Sequence, residues 1–520
     1  MGLRCRIGLV YVPGALPCFE GFGSLPTDVV REDGLVHGKP ASEALDMIII
    51  PGGSLVESQS IKDNLAREII RLADAGKFVL GICSGFQVLA KATDIGRLSS
   101  TPIMRQGLGI LDVEFKPLIC TDRLMATIVG KSFMTDNIGI EVTGFHCHTY
   151  GKTIIHKEAK PILASHTQRI DYHKEPQDSI SGVTNKDGNV VGVLVHALLD
   201  ENPSIIQSIM KSLDISPEEL QEIREANSRL LMEIKDEVGI STNVKPQNSM
   251  SRPTKTPALL LVTSTGTGSG KTFIVTGIAG ALKKKGFDVG VMKVGADIRD
   301  VVPALYLIKE PIKDYSSIRI GDRGWEPLYE AVEDASQNYD LLLIEGVMSS
   351  FTGLLNDEVE RPYSTVEVAL ALDAPTIVVV GCEKEGIEGA LISALNYVNL
   401  MKSLGVKVKG VILNKAYMID KIRPFVKTAF KNFGVELLGI VPRIELEGRG
   451  MIPEIEIRYE EFGAKAIESI EHFLDLNMLI EIAMFPVKIS VDYRTLLEKF
   501  KKSLIMSFKF DVSKGGFRAS

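Results

Sequence analysis

Two α/β domains, each built on a doubly wound parallel sheet, are what this sequence predicts. Three observations carry the expectation. Short, wholly apolar runs recur in both halves of the chain, several with glycine inside or just after them. Helical stretches separate successive runs, which gives β-α-β units with right-handed crossovers. A charged connector divides the chain into two such blocks.

In the first block, residues 1–214, the strands are Ile7-Gly8-Leu9-Val10-Tyr11, Met47-Ile48-Ile49-Ile50 and Phe78-Val79-Leu80-Gly81-Ile82, with a helix expected over 64–75. Strands apolar at every position suit a sheet covered on both faces. Residues 215–257 read as a helix and a linker. The helix opens Ser216-Pro217-Glu218-Glu219, a capping pattern, and keeps helical apolar spacing to 238. Gly239 to Pro257 is rich in Ser, Thr, Asn, Lys and Pro, has no periodicity and reads as an exposed linker. The second block, 258–474, has strands expected at 258–263, 289–294, 340–345, 376–381 and 409–414. Residues 475–520 mix apolar residues with Lys499, Lys501 and Lys502 and read as an added element or a partner surface. So short a basic cluster disfavours a membrane-surface helix.

Of the 520 residues, 45% are hydrophobic and 24% charged, and the net charge is -7. That balance fits a mildly acidic soluble enzyme and argues against a nucleic-acid groove. No apolar run approaches the roughly 20 residues of a membrane span. The start, Met1-Gly2-Leu3-Arg4-Cys5-Arg6, lacks the apolar core of a signal peptide. Cysteines 5, 18, 83, 120, 147 and 382 are scattered without metal-ligand spacing, so a reducing cytoplasm is the expected compartment.

Only Cys83 has a context that argues for chemistry. Gly81-Ile82-Cys83-Ser84-Gly85 lies between a strand and a helical run. Small neighbours allow a sharp turn that presents the thiol at a helix start, where a thiolate is favoured. The plain alternative, a core cysteine in a tight turn, is disfavoured by the glycines on both sides. Pro51-Gly52-Gly53 follows another strand end, where bare N–H groups suit an oxyanion. His196 ends the run Gly192-Val-Leu-Val-His196, placing its ring at the sheet edge towards Cys83.

Together these stretches resemble the class I glutamine amidotransferases, whose domain is flavodoxin-like, and in particular the subgroup attached to cobyric acid synthase. Gly107-Leu-Gly-Ile-Leu-Asp112, Gly144-Phe-His-Cys-His148 and His196-Ala-Leu-Leu-Asp200 agree with that subgroup, and the likeness spans residues 40–213. The resemblance implies Cys83 as nucleophile, His196 as base, and the backbone N–H groups of Gly53 and Ser84 as the oxyanion hole. Many class I enzymes carry Glu two residues after the histidine. Here that residue is Leu198, so the usual orienting carboxylate is absent. By the same resemblance His148 lies near a domain interface or tetrapyrrole pocket; a hydrogen-bonded structural histidine is the other reading. His146, Cys147 and His148 are too tightly spaced to suggest a zinc site on their own.

Ser264-Thr265-Gly266-Thr267-Gly268-Ser269-Gly270-Lys271-Thr272 lies between a strand and a helical run. Its glycines let N–H groups approach phosphate, Lys271 adds charge, and the Thr272 hydroxyl suits Mg²⁺. Thr265 breaks the strict Gly-x-x-x-x-Gly-Lys-Thr pattern at its first position. The variant resembles dethiobiotin synthetase and the cobyrinate amidases. Partition ATPases of the MinD type carry an extra lysine where this chain has Gly266. Lys293-Val-Gly295-Ala296-Asp297 resembles the "KVGPDYID" stretch of cobyrinic acid a,c-diamide synthases, and Glu345-Gly346-Val347-Met348 their "EGVM" strand end.

The resemblance implies an ATP site at Thr265, Gly268, Ser269, Gly270, Lys271, Thr272, Lys293 and Asn414. It also implies Mg²⁺ on Thr272, Asp297 and Glu345. Thr352-Gly353 replaces the family's Asp-Gly, and Ala296 its proline. The order of the halves is the reverse of that in the cobyrinate amidases. The function expected is glutamine-dependent, ATP-driven amidation of a carboxylate. The acceptor implied first is a cobyrinate-type tetrapyrrole; a nickel tetrapyrrole or a cell-wall precursor is also open. A nucleotide-dependent scaffold or regulator is the rival, and homodimer formation is left open. No nucleic-acid or membrane partner is expected.

Overall fold

The computed structural model describes residues 3–171, 173–239, 297–318, 320–321, 324–325, 328–355, 364–446 and 458–507, together with 258–295. The linker expected at 239–257 lies outside the described residues from 240 onward, as do Ala296 and the end of the C-terminal segment, 508–520. The chain forms two compact units that interleave in sequence. Unit 1 holds 1–243, 296–324 and 446–464, and unit 2 holds 244–295, 325–445 and 465–520.

Unit 1 is built on a sheet of ten strands. In chain order these are β1 (Ile7–Val10), β2 (Asp28–Val30), β3 (Met47–Ile50), β4 (Phe78–Ile82), β5 (Cys120–Ile128), β6 (Glu141–His148), β7 (Lys160–Ile170), β8 (His173–Thr184), β9 (Val190–Val193) and β10 (Val195–His196). Their spatial order is β10-β6-β5-β7-β8-β9-β4-β3-β1-β2. The run β9-β4-β3-β1-β2 is parallel, with β1, β3, β4 and β9 buried at nearly every position, as their apolar sequences predict. The other half is antiparallel, an addition to the parallel sheet expected. Its strands alternate in burial, as the BBBiBiBiB pattern of β5 shows, which is the mark of a sheet with one face solvated. Only Leu194 separates β9 from β10, so this half curls round until its two ends meet there.

Helix α1 (Asp63–Asp74) crosses from β3 to β4 and buries Leu65, Ile69 and Leu72, a spacing that aligns one face with the sheet. Each such side chain contributes about 1.5–3 kcal/mol. The short α2 (Ser84–Leu89) follows β4 directly. Helix α3 (Pro217–Glu237) opens on the expected capping box: Ser216 Oγ accepts from Glu219 N, and Glu219 accepts from Ser216 N.

Unit 2 contains six parallel strands: β11 (Ala258–Ser264), β12 (Val289–Val294), β13 (Leu341–Glu345), β14 (Thr376–Gly381), β15 (Val408–Ala416) and β16 (Glu436–Pro442). They stand in the order β12-β13-β11-β14-β15-β16. The first five fall within a residue or two of the predicted positions. Helix α4 (Lys271–Lys284) leaves the loop after β11. No described helix is long and apolar enough to cross a membrane.

Candidate functional site

In unit 1, β4 delivers Cys83 and α2 begins at the next residue. Cys83 has φ 52° and ψ −108°, a conformation that costs about 1–3 kcal/mol for a residue with a side chain. The surroundings enforce it. Cys83 N donates to Val193 O at 2.8 Å. A Cβ on Gly81 would lie 2.6 Å from Gly85 O, and one on Gly85 only 2.2 Å from Ile50 O. The small residues flanking the thiol are therefore required by contact with main chain. Sγ lies 3.6 Å from the Cys147 carbonyl oxygen.

His196 ends β10 opposite Phe145 and is buried. Its ring lies beside Cys83 on the wall of the same cleft. Nδ1 is bonded to the Glu20 carboxylate, whose second oxygen accepts from Ala197 N at 2.8 Å. Phe19 packs edge-on against the imidazole, centroids 5.2 Å apart. Burial pulls the imidazole down, but the charges of Glu20 and then Cys83 outweigh it and lift the value to about 10. Cys83, His196 and Gly53 line one cleft, with Glu57 and Arg299 also on its walls. Ser84 is the first residue of α2, where a backbone N–H has no intrahelical acceptor.

Unit 2 holds the phosphate loop, residues 265–270. Gly268 and Gly270 have φ of +80° and +86°. At Gly268 a Cβ would meet nothing within 4 Å, so the angle alone selects glycine; at Gly270 it would lie 2.2 Å from Asn414 Nδ2. Asn414 donates to Ser269 O at 2.9 Å and Ser269 Oγ to Gly266 O at 2.6 Å, which braces the loop from below and within. Thr265 N donates to Val379 O at 3.4 Å. Lys271 Nζ donates to Ser264 Oγ at 3.1 Å and Met348 O at 2.7 Å. Lys293 Nζ donates to Gly346 O at 3.1 Å and lies 3.6 Å from Glu345 Oε1. Glu345 Oε1 accepts from the Thr272 hydroxyl at 2.8 Å. Hard oxygen donors so disposed fit a magnesium ion. Asp297 lies in the unit 1 segment 296–324, where Arg299 grips both its carboxylate oxygens at 2.8 and 2.7 Å.

Residues 26–204 match the CobB/CobQ-like glutamine amidotransferase domain, and residues 259–448 an AAA domain. The chain carries a CobB/CobQ-like glutamine amidotransferase domain. Cobyric acid synthase of a Thermoanaerobacter species is 32% identical over 212 residues, which is 38% of this chain and 41% of that protein. Cobyrinate a,c-diamide synthase of Methanocaldococcus jannaschii is 30% identical over 234 residues, 43% of this chain and 50% of that protein. The chain thus spans about half or less of these relatives' length. The amidotransferase domain precedes the AAA domain.

Within the amidotransferase domain the structure gathers Cys83, His196 and Gly53 at one cleft. Within the AAA domain it gathers Lys271, Thr272, Lys293 and Glu345. Nothing in the sequence singles out Glu20. It stands 176 residues before His196 and precedes the matched stretch, so no local motif marks it. It takes the place left empty by Leu198, which is buried at the start of a short helix. Thr352 is used in a turn: its Oγ1 accepts from Ser349 N at 3.2 Å.

Proposed function

We propose that this chain is an ATP-dependent, glutamine-hydrolysing amidoligase that converts a carboxylate to a carboxamide through an acyl phosphate. Its acceptor is a cobyrinate-type tetrapyrrole. The observation that carries this reading is the buried chain of contacts Cys83–His196–Glu20. Cys83 attacks the glutamine carboxamide, His196 gives a proton to the departing ammonia, and water then releases glutamate from the thioester. N–H groups at Gly53 and Ser84 receive the oxyanion. Glu20 fixes the ring through Nδ1 and stabilises the imidazolium, the part an aspartate plays in a serine-protease triad. Glu57, on the cleft wall, offers the negative charge that the α-ammonium of glutamine requires.

In the AAA domain, the glycine loop, Lys271 and Lys293 receive the triphosphate of ATP. Thr272 and Glu345 would hold Mg²⁺. The ion would neutralise charge on the phosphate oxygens. The acceptor carboxylate attacks the γ-phosphorus, ADP leaves, and ammonia displaces phosphate from the acyl phosphate. The names of the relatives support a tetrapyrrole acceptor. The test is mass spectrometry of products after incubating the full chain with glutamine, ATP, Mg²⁺ and cobyrinic acid. Amide product with matching amounts of ADP and glutamate is expected. Glutamine hydrolysis that neither ATP nor any carboxylate alters would overturn the ligase reading in favour of a nucleotide-dependent regulator.

A further inference from the structure

Strands β5 and β6 carry a second cluster of reactive side chains beside the thiol cleft, which one of them, His148, also lines. In their antiparallel register Cys120 stands opposite His148, and Asp122 opposite His146. Side chains two residues apart share a face, so Cys120, His146 and His148 project together, with His146 on the diagonal from Cys120. Their ligand atoms all lie within 4.8 Å of one another. The two rings are 4.6 Å apart between centroids. Exposure is 2% for Cys120, 1% for His146 and 3% for His148.

Neither ring nitrogen of His146 has a hydrogen-bond partner, and Nδ1 of His148 has none. A buried polar atom left in that state is costly, and here three such atoms sit in two adjacent rings. In the tautomer protonated on the other nitrogen, His148 Nδ1 presents a lone pair, as a metal-binding histidine does.

We propose that Cys120, His146 and His148 form a buried site for a borderline-soft divalent metal ion, zinc foremost. One thiolate and two imidazoles are a zinc donor set, and binding releases the thiol proton. With Zn–S near 2.3 Å and Zn–N near 2.0–2.1 Å, tetrahedral donors stand about 3.4–3.6 Å apart, so the side chains close by about an ångström on binding. Asp122, on the same face, and water are the candidates for a fourth ligand. The ion is structural: it ties β5 to β6, the strand that carries the Cys147 carbonyl beside Cys83.

The test is elemental analysis of the untagged full chain from zinc-supplemented cells, with Cys120→Ser, His146→Gln and Cys83→Ala in parallel. Wild type and Cys83→Ala are expected to hold about one zinc per chain, and the other two at least about tenfold less. Cobalt(II) added to metal-free wild type gives tetrahedral ligand-field bands and a thiolate charge-transfer band. Cys120→Ser loses the second. These spectra decide the matter even where a variant folds poorly. Metal-free wild type that gives no cobalt spectrum would overturn the site. So would zinc that survives Cys120→Ser and His146→Gln but leaves with Cys83→Ala, since the ion then sits at the catalytic thiol.

Discussion

In the thiol cleft, ionisable side chains from three distant stretches hold one another. In the phosphate loop they come mostly from stretches recognisable at a glance, and they hold main-chain carbonyls as well. Glu20, Cys83 and His196 meet as carboxylate, thiol and imidazole. Lys271 and Lys293 each donate to a carbonyl, of Met348 and Gly346. The two arrangements suit different tasks. A histidine paired with a carboxylate keeps its ring fixed and its proton ready. A carbonyl oxygen steadies an ammonium group without cancelling its charge, so Lys271 on Met348 O still attracts phosphate, whereas Lys293 also lies 3.6 Å from Glu345 Oε1.

The sharpest division between the two regions comes from Cys83→Ala. Glutamine-dependent amidation should vanish while ammonia-dependent amidation continues, because only the thioester needs sulfur. Equal loss with both donors would merge the regions into one site. Glu20→Gln comes next. Glutamine hydrolysis should fall by about 10²–10⁴ in kcat, as when a triad loses its carboxylate. Its alkaline limb, set by loss of the His196 proton near pH 10, should also move down towards the ordinary imidazole value of about 6.5. A pH profile that stays in place would reduce Glu20 to packing. Because the folded value is the raised one, this pairing stabilises the fold fully below about pH 6.5 and ceases to as pH rises through about 10.

Lys271→Ala should slow amidation by about 10²–10³ with glutamine or ammonia alike. Retention of ATP-dependent product would mean that the loop binds no terminal phosphate. The smallest effects concern the ion. Glu345→Gln should raise the Mg²⁺ concentration needed for half-maximal amidation more than tenfold. An unchanged Mg²⁺ requirement would remove Glu345 from the ion's site.

What the sequence disclosed follows from locality. Cys83 and Lys271 each lie in a short run of small residues that a local motif marks, although the contacts that demand glycine there reach distant parts of the chain, Gly85 against Ile50 O and Gly270 against Asn414. The parallel strands were legible because burial on both faces leaves unbroken apolar runs. Glu20 left no such trace: a carboxylate in an irregular stretch is indistinguishable from a solvated one until the fold closes over it. The pairing of Cys120 with His148 was hidden for a related reason, since strand register joins residues 28 positions apart. The segment 296–324 looks continuous with the second block in sequence, yet it packs with unit 1 and brings Arg299 to the cleft.

Gly52 has a consequence for lineages that descend from this chain. A Cβ there would lie 2.6 Å from Cε1 of His196 and 3.5 Å from Cβ of Cys83. Its backbone angle is not among the positive ones, so another residue would be tolerated by the turn itself and refused only by the imidazole. Position 52 therefore reports on chemistry separately from folding. A descendant that keeps Cys83 and His196 but carries a side chain at 52 has retained the fold and surrendered the reaction, a loss that an inventory of catalytic residues would overlook.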